Sequence, residues 1–183
     1  QGKGNICEGN FGAFLQGHLL DGSSRLTDKK GNPIGHGFFV TGFSNYSVVP
    51  EAGVFPLPKE LPLEHGCFLG CCVPTGWGSV VNVGKIVAGT TVAVYGCGPI
   101  GLNTILAAKL RHAHPIIAVD LEGSREGIAR EFGATHFINS SKEDPVSKIQ
   151  ELTGGAGVEV VFEAIGDPGA IIQAWWSLRM GGK

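Results

Sequence analysis

Three glycines and one acid carry the clearest chemistry in this sequence. Residues 96–101 read GCGPIG, directly after the short apolar run TVAVY at 91–95 and ahead of a helical pattern. Gly96 permits a tight turn out of a strand, Gly98 lets backbone approach a pyrophosphate, and Gly101 lets a helix pack close to the strand. Phosphates would sit at the helix N-terminus, where free N–H groups and the helix dipole favour negative charge. Pro99 stands where a first helical residue belongs, a position proline favours. The whole turn, with Cys97, Pro99 and Ile100, is therefore expected to hold a dinucleotide. Asp120 closes the next apolar run, PIIAVD at 115–120, and Leu121 beside it joins the expected cofactor residues. An acid at that place accepts from the adenosine ribose hydroxyls and repels a 2′-phosphate, which favours NAD over NADP. Aspartate is also a turn and capping residue, so Asp120 has a purely structural alternative. Arg125 has two readings as well: a contact to the ribose or adenine, or a solvated arginine in a helix's first turn.

The cysteines are ambiguous on their own. Five are present, at 7, 67, 71, 72 and 97, and the odd count without paired spacing argues against a disulfide framework. Thiols or metal ligands in a reducing compartment fit better. The spacing C-x-x-x-C-C at 67–72 is not a standard zinc spacing, and free cysteine is often buried, so core thiols are the plain reading. The histidines form no H-x-x-x-H or H-E pair.

Strand–helix alternation has to position these groups. From Thr90 onward, strands are expected at 91–95, 115–120, 135–139 and 158–164. Between them lie helices over 99–112, with a stripe at Ile100, Ile105, Leu106 and Leu110, and over 124–132, stopped by Gly133. Asp144-Pro145 and Asp167-Pro168 each read as a helix start, an acceptor for first-turn N–H groups followed by a residue with none to waste. Buried strands alternating with helices imply a parallel sheet covered on both faces. Residues 1–75 differ in texture, being rich in Gly, Pro and short β-like runs. A strand at 43–49 ended by Pro50 and a hairpin over 25–34 are expected there, with a connecting helix at 76–88.

Bulk composition agrees with a globular chain. Of 183 residues, 43% are hydrophobic and 16% charged, enough apolar material for a core and unlike a disordered tail. A net charge of -2 without like-charge blocks gives no indication of a basic nucleic-acid-binding face. No uninterrupted apolar run approaches the length of a membrane span.

At this point the residues show a resemblance. The run LEHGCFLGCCVPTGWGSVVNVGK at 63–85, followed by the glycine turn, resembles the zinc-dependent medium-chain alcohol dehydrogenases. DGSSR at 21–25 and FSNYSVVPE at 43–51 are similar to the liver-type and thiol-linked formaldehyde dehydrogenase branch. The resemblance implies a partial Rossmann sheet, doubly wound and parallel, in residues 76–183. It implies the last part of a GroES-like, β-rich catalytic domain in residues 1–75. It makes Cys71 a ligand of the catalytic zinc, Thr75 a neighbour of the nicotinamide, and Cys7 the last of four cysteines around a structural zinc. Cys72 stands where relatives usually carry Gly. Ile165 and Gly166 would form a loop beside the cofactor.

The activity implied is hydride transfer between a primary alcohol, or a thiol hemiacetal, and NAD. The alternatives are a zinc-free quinone-type reductase using NADPH and a non-catalytic nucleotide-binding module. A small-molecule substrate, no nucleic-acid or membrane partner, a cytoplasmic location and a homodimeric or homotetrameric parent go with the resemblance. Neither end reads as a natural terminus, so the chain is expected to be an internal stretch, inactive by itself, with the remaining zinc ligands upstream of Gln1.

Overall fold

The computed structural model describes residues 11–12, 15–37, 40, 42–49 and 51–183. The chain forms two compact units, Gln1–Pro58 and Lys59–Lys183. In the first, the expected hairpin forms: β1 (Leu26–Thr27) pairs antiparallel with β2 (Pro33–Ile34). Asp28 closes its turn by accepting from the backbone N–H groups of Lys30 and Asn32, and Gly31 takes the left-handed backbone the turn needs (φ 85°). The strand expected at 43–49 does not form. Phe43, Tyr46 and Val48 are exposed, and no neighbouring strand pairs with the described residues there. A β-like composition without a partner leaves the backbone to turns.

The second unit begins with α1 (Leu63–Leu69) and α2 (Cys72–Gly78), which runs on into a wider turn at Ser79–Gly84. The connecting helix thus starts before residue 76 and stops at Lys85, whose left-handed backbone (φ 53°) ends it. Both helices belong to the second compact unit, with the sheet. By length and composition, Leu63–Gly84 could cross a membrane, with 22 residues at mean hydropathy 1.2. A search for uninterrupted apolar runs misses this, because Gly, Pro and His punctuate the segment. Within the protein Gly76, Val80 and Gly84 are buried, and Val80 belongs to the core.

Four parallel strands follow: β3 (Val92–Tyr95), β4 (Ile116–Asp120), β5 (His136–Asn139) and β6 (Val160–Glu163). Their spatial order is β5-β4-β3-β6, with Tyr95 level with Val119 on one side and Glu163 on the other. This is half of a doubly wound Rossmann sheet, and the direction of winding reverses at β3. Alternate side chains feed two cores. Val92, Val94, Ile116 and Ala118 face one, with α3 (Pro99–Leu110) and α4 (Glu126–Phe132). Ala93, Tyr95, Ile117 and Val119 face the other, with α5 (Pro145–Leu152) and α6 (Pro168–Trp176). Both Asp-Pro helix starts are realised: Asp144 accepts from the Ser147 N–H and Asp167 from the Ala170 N–H.

Two sequence expectations shift in detail. The buried face of α3 is Gly101, Leu102, Thr104, Ile105, Ala107 and Ala108, while Leu110 is exposed. Small residues, not the large apolar stripe, let this helix lie close to the strands. The outer edge of β6 is also partly covered. Residues 178–183 run along it, with Leu178 bridging Val158 and the Val161 N–H donating to the Lys183 carbonyl.

Candidate functional site

The winding reversal brings the loops after β3 and β6 together. Gly96 leaves β3 with φ 93°, and a Cβ there would lie 2.8 Å from Ile165 Cγ1 and 3.1 Å from the Ala164 carbonyl oxygen. A Cβ on Gly101 would lie 1.8 Å from the Gly96 oxygen, so only glycine lets α3 start this close. Gly98 is different: its backbone is extended and a Cβ there meets nothing within 4 Å. The three glycines thus differ: Gly96 and Gly101 sit where a Cβ would clash, and Gly98 faces open space. Gly98 heads α3 with no side-chain cap, and Leu102 N–H is the first helical donor used, on the Gly98 carbonyl. The N–H groups of Gly98, Ile100 and Gly101 have no acceptor among the described residues. They form a cradle that an anionic group would satisfy.

Asp120 reaches back to this turn. Its Oδ2 accepts from the Cys97 N–H at 2.7 Å and its Oδ1 from the Glu122 N–H at 2.9 Å. Arg125 lies in the short turn Gly123–Arg125 before α4. It donates from Nη1 to the Cys97 carbonyl at 3.0 Å, and its Nε is 3.9 Å from Asp120 Oδ1. Arg125 is thus neither free in solvent nor turned away from the glycine loop. Cys97 itself is buried, and its thiol is pushed up to about 12, first by burial and then by the Asp120 charge. Buried and held in the thiol form, Cys97 is a poor thiolate nucleophile near neutral pH.

Beside the turn opens a pocket of about 210 Å³. Leu121 and Ile165, both largely exposed, line it, and Tyr95 and Val119 from the sheet and Asp167 and Gln173 from the α6 side complete its wall. Two exposed aliphatic side chains at its mouth suit a flat ring better than a charged group. The Ile165 loop is held by Glu163, whose Oε1 accepts from the N–H groups of Ile165 (2.7 Å) and Gly166 (2.8 Å). Gly166 supplies the left-handed backbone (φ 82°) of that turn. Glu163 was not identified from the sequence, because one acid at a strand end belongs to no motif and acts only through backbone N–H groups. Under the pocket, the Tyr95 hydroxyl meets Ser177 Oγ at 2.6 Å. Ser177 donates its proton to the Gln173 carbonyl, so Tyr95 is the donor of that pair.

The cysteines lie elsewhere. Cys71 is exposed in the break between α1 and α2, Cys67 is exposed, and Cys72 is buried with its thiol toward the Phe68 carbonyl. Thr75 is exposed one turn into α2, its N–H on the Cys71 carbonyl. Gly76, the next residue, packs against α3, where a Cβ would lie 2.8 Å from Asn103. Neither Cys71 nor Thr75 lines the pocket. Among the described residues no three His, Cys, Asp or Glu side chains converge as metal ligands, and Cys7 lies outside the described residues.

Comparison with known proteins gives one consistent picture. Residues 99–183 match the family profile described as zinc-binding dehydrogenase. The chain is 38% identical over 172 residues to an S-(hydroxymethyl)glutathione dehydrogenase of Saccharomyces cerevisiae, an alignment covering 91% of this chain and 44% of that protein. Among solved structures, it is similar to an alcohol dehydrogenase zinc-binding domain protein from Burkholderia ambifaria. There the TM-score is 0.82 at 38% identity, over 96% of this chain and 47% of the other. It is also similar to benzyl alcohol dehydrogenase from Acinetobacter calcoaceticus, with TM-score 0.76 and 36% identity over 85% of this chain and 44% of the other. The chain spans less than half the length of each of these relatives.

Proposed function

The chain belongs to the zinc-dependent medium-chain alcohol dehydrogenase family, and from that premise we propose that it carries the adenosine and pyrophosphate half of an NAD site in an alcohol-oxidising enzyme. The observation that carries this reading is the cradle at Gly98, open space beside three N–H groups that have no acceptor among the described residues. The pyrophosphate would take the N–H groups of Gly98, Ile100 and Gly101, over Cys97 and Pro99. The ribose diol would take Asp120, whose carboxylate keeps lone pairs beyond the two N–H bonds it already accepts. The adenine would enter between Leu121 and Ile165, with Gly166 keeping the loop in place and Arg125 beside the ribose end. NAD held there would supply the hydride acceptor for oxidation of an alcohol. The part played by these residues is to bind and orient the cofactor.

The metal stands differently. Cys71 would offer one exposed thiolate, a ligand type that suits zinc, with Thr75 a turn away near the nicotinamide end. One thiol is not a metal centre, and among the described residues no three His, Cys, Asp or Glu side chains form a group that could hold a metal. Cys7 would be a ligand of a structural zinc. The proposed substrate class is a primary alcohol or thiol hemiacetal giving an aldehyde or thioester, a reading supported by relatives named S-(hydroxymethyl)glutathione dehydrogenase and benzyl alcohol dehydrogenase. A homodimeric or homotetrameric state, a cytoplasmic location and a GroES-like assignment for residues 1–75 belong to the same proposal and rest on the family resemblance.

Titration of the chain with NADH and NADPH, followed by nicotinamide fluorescence or calorimetry, tests the reading. NADH is expected to bind at least about tenfold more tightly, the scale of one charge-assisted hydrogen bond exchanged for a repulsion. Preference for NADPH would favour the zinc-free quinone-type reductase, and binding of neither would remove the cofactor assignment.

A further inference from the structure

Beyond Glu163 the chain leaves the sheet. The Ala164 N–H extends the ladder to β3 by one bond, donating to the Tyr95 carbonyl at 2.9 Å. The next two N–H groups, of Ile165 and Gly166, both go to Glu163 Oε1, at 2.7 and 2.8 Å. Bonds to a carboxylate are charge-assisted and stronger than neutral ones. Asp167 caps α6 immediately afterwards, so residues 164–166 are all the chain has between strand and helix. Glu163 closes them into a turn, with Gly166 in the left-handed region (φ 82°). That turn sets Ile165 against two surfaces at once. Its Cγ1 occupies the space a Cβ on Gly96 would need, 2.8 Å from it, and its side chain lines the pocket while staying about half exposed. Glu163 does not line the pocket.

We propose that Glu163 is a positioning residue for the cofactor pocket, setting the wall at Ile165 against which the adenine lies. This rests on the cofactor reading above and deepens it. Without the carboxylate, the N–H groups of Ile165 and Gly166 turn to water and the turn loses its closure. Ile165 then gains a range of positions, which it must give up again when a ring closes on it, and that ordering weakens binding. The requirement is for an acceptor within reach of both N–H groups, which an amide oxygen also provides.

The test is a double-mutant cycle read by ligand binding. Adenosine and ADP-ribose are titrated against the full chain and against E163A, E163Q, I165A and the double variant E163A/I165A. In E163A the affinity for both ligands is expected to fall by the same factor, about three- to tenfold, the scale of one weakened aliphatic contact. I165A should give a similar loss, and E163A added to it should cost nothing more, because Glu163 acts through Ile165. E163Q should recover most of the affinity. Hydrogen exchange on the ligand-free chain should be faster at Ile165 and Gly166 in E163A. Additive losses in the double variant would overturn the proposal, as would a stability loss in E163A with adenosine affinity unchanged. If the wild-type chain binds neither ligand nor NADH, the cofactor reading falls and the proposal with it. Should E163A fail to fold, E163D carries the same comparison, since its shorter side chain draws the oxygen back from both N–H groups.

Discussion

A methyl group added at Gly98 meets empty space, while one added at Gly101 would lie 1.8 Å from the Gly96 carbonyl oxygen. The two substitutions should therefore separate binding from stability. Gly98→Ala, at φ -76°, is expected to leave the melting temperature within about 2 °C of wild type and to weaken NADH binding by filling the cradle. Gly101→Ala must push α3 off its strand and should cost about 2 kcal/mol or more, seen as a lowered denaturation midpoint before any ligand is added. Equal stability in the two variants would show that α3 does not depend on this close approach. At this scale the spacing of Gly96, Gly98, Gly101 and Asp120 was readable, because backbone permissiveness and charge are properties of single residues. Arg125 was left open between two roles, and Glu163 passed unnoticed. Each acts on backbone groups, Arg125 on the carbonyl of Cys97 and Glu163 on the N–H groups of Ile165 and Gly166. No sequence pattern records which backbone group lies within reach.

Helix starts are the elements most plainly written in the chain. Asp144 accepts from both the N–H and the hydroxyl of Ser147, ahead of Pro145 at the first position of α5. The Ser147 hydroxyl first, and then its N–H, hold the Asp144 carboxyl below the usual aspartate value. A depressed folded-state value means stability that is fully present above the unfolded value and is lost as pH falls through the folded one. Asp144→Ala is thus expected to lower stability at pH 7 by roughly 1 kcal/mol, the usual scale of an N-cap. The gap to wild type should close as the pH is taken below the aspartate range, read from urea midpoints across a pH series. A gap that persists in acid would mean that the cap works without its charge. Helix α3 shows the opposite lesson. Its large apolar residues suggested one face, but Gly101, Ala107 and Ala108 lie inward and Leu110 outward. Periodicity ranks side chains by size, whereas close packing against a sheet selects small ones.

Across the second unit, both sheet faces are covered but α6 keeps an apolar side outward. Ile171, Ile172, Trp175 and Trp176 are half or more exposed, and Met180 just after the helix is almost fully so. An exposed cluster of this kind promotes association. Replacing Trp175 and Trp176 together by Gln is expected to reduce light scattering on concentration while leaving the melting temperature close to wild type. A large fall in melting temperature would show that these rings are packed in solution. At the outer edge of β6, by contrast, residues 178–183 fold back along the strand, because Gly157, Gly181 and Gly182 let the chain turn closely onto it.

By itself the sequence determined the alternation of strands and helices from Thr90 onward, the glycine turn with its acid, and the two Asp-Pro caps. Each of these depends on local backbone preference or on a repeat of side-chain type. The tertiary structure alone decided that β6 lies beside β3, so that Ile165 rests on Gly96 and a pocket opens between Leu121 and Ile165. It also decided that the run at 43–49 stays out of any sheet among the described residues, and that Asp120 and Arg125 close on Cys97 from both ends. These are long-range matters of which strand neighbours which and which donor meets which carbonyl, and they depend on packing between segments far apart in the chain.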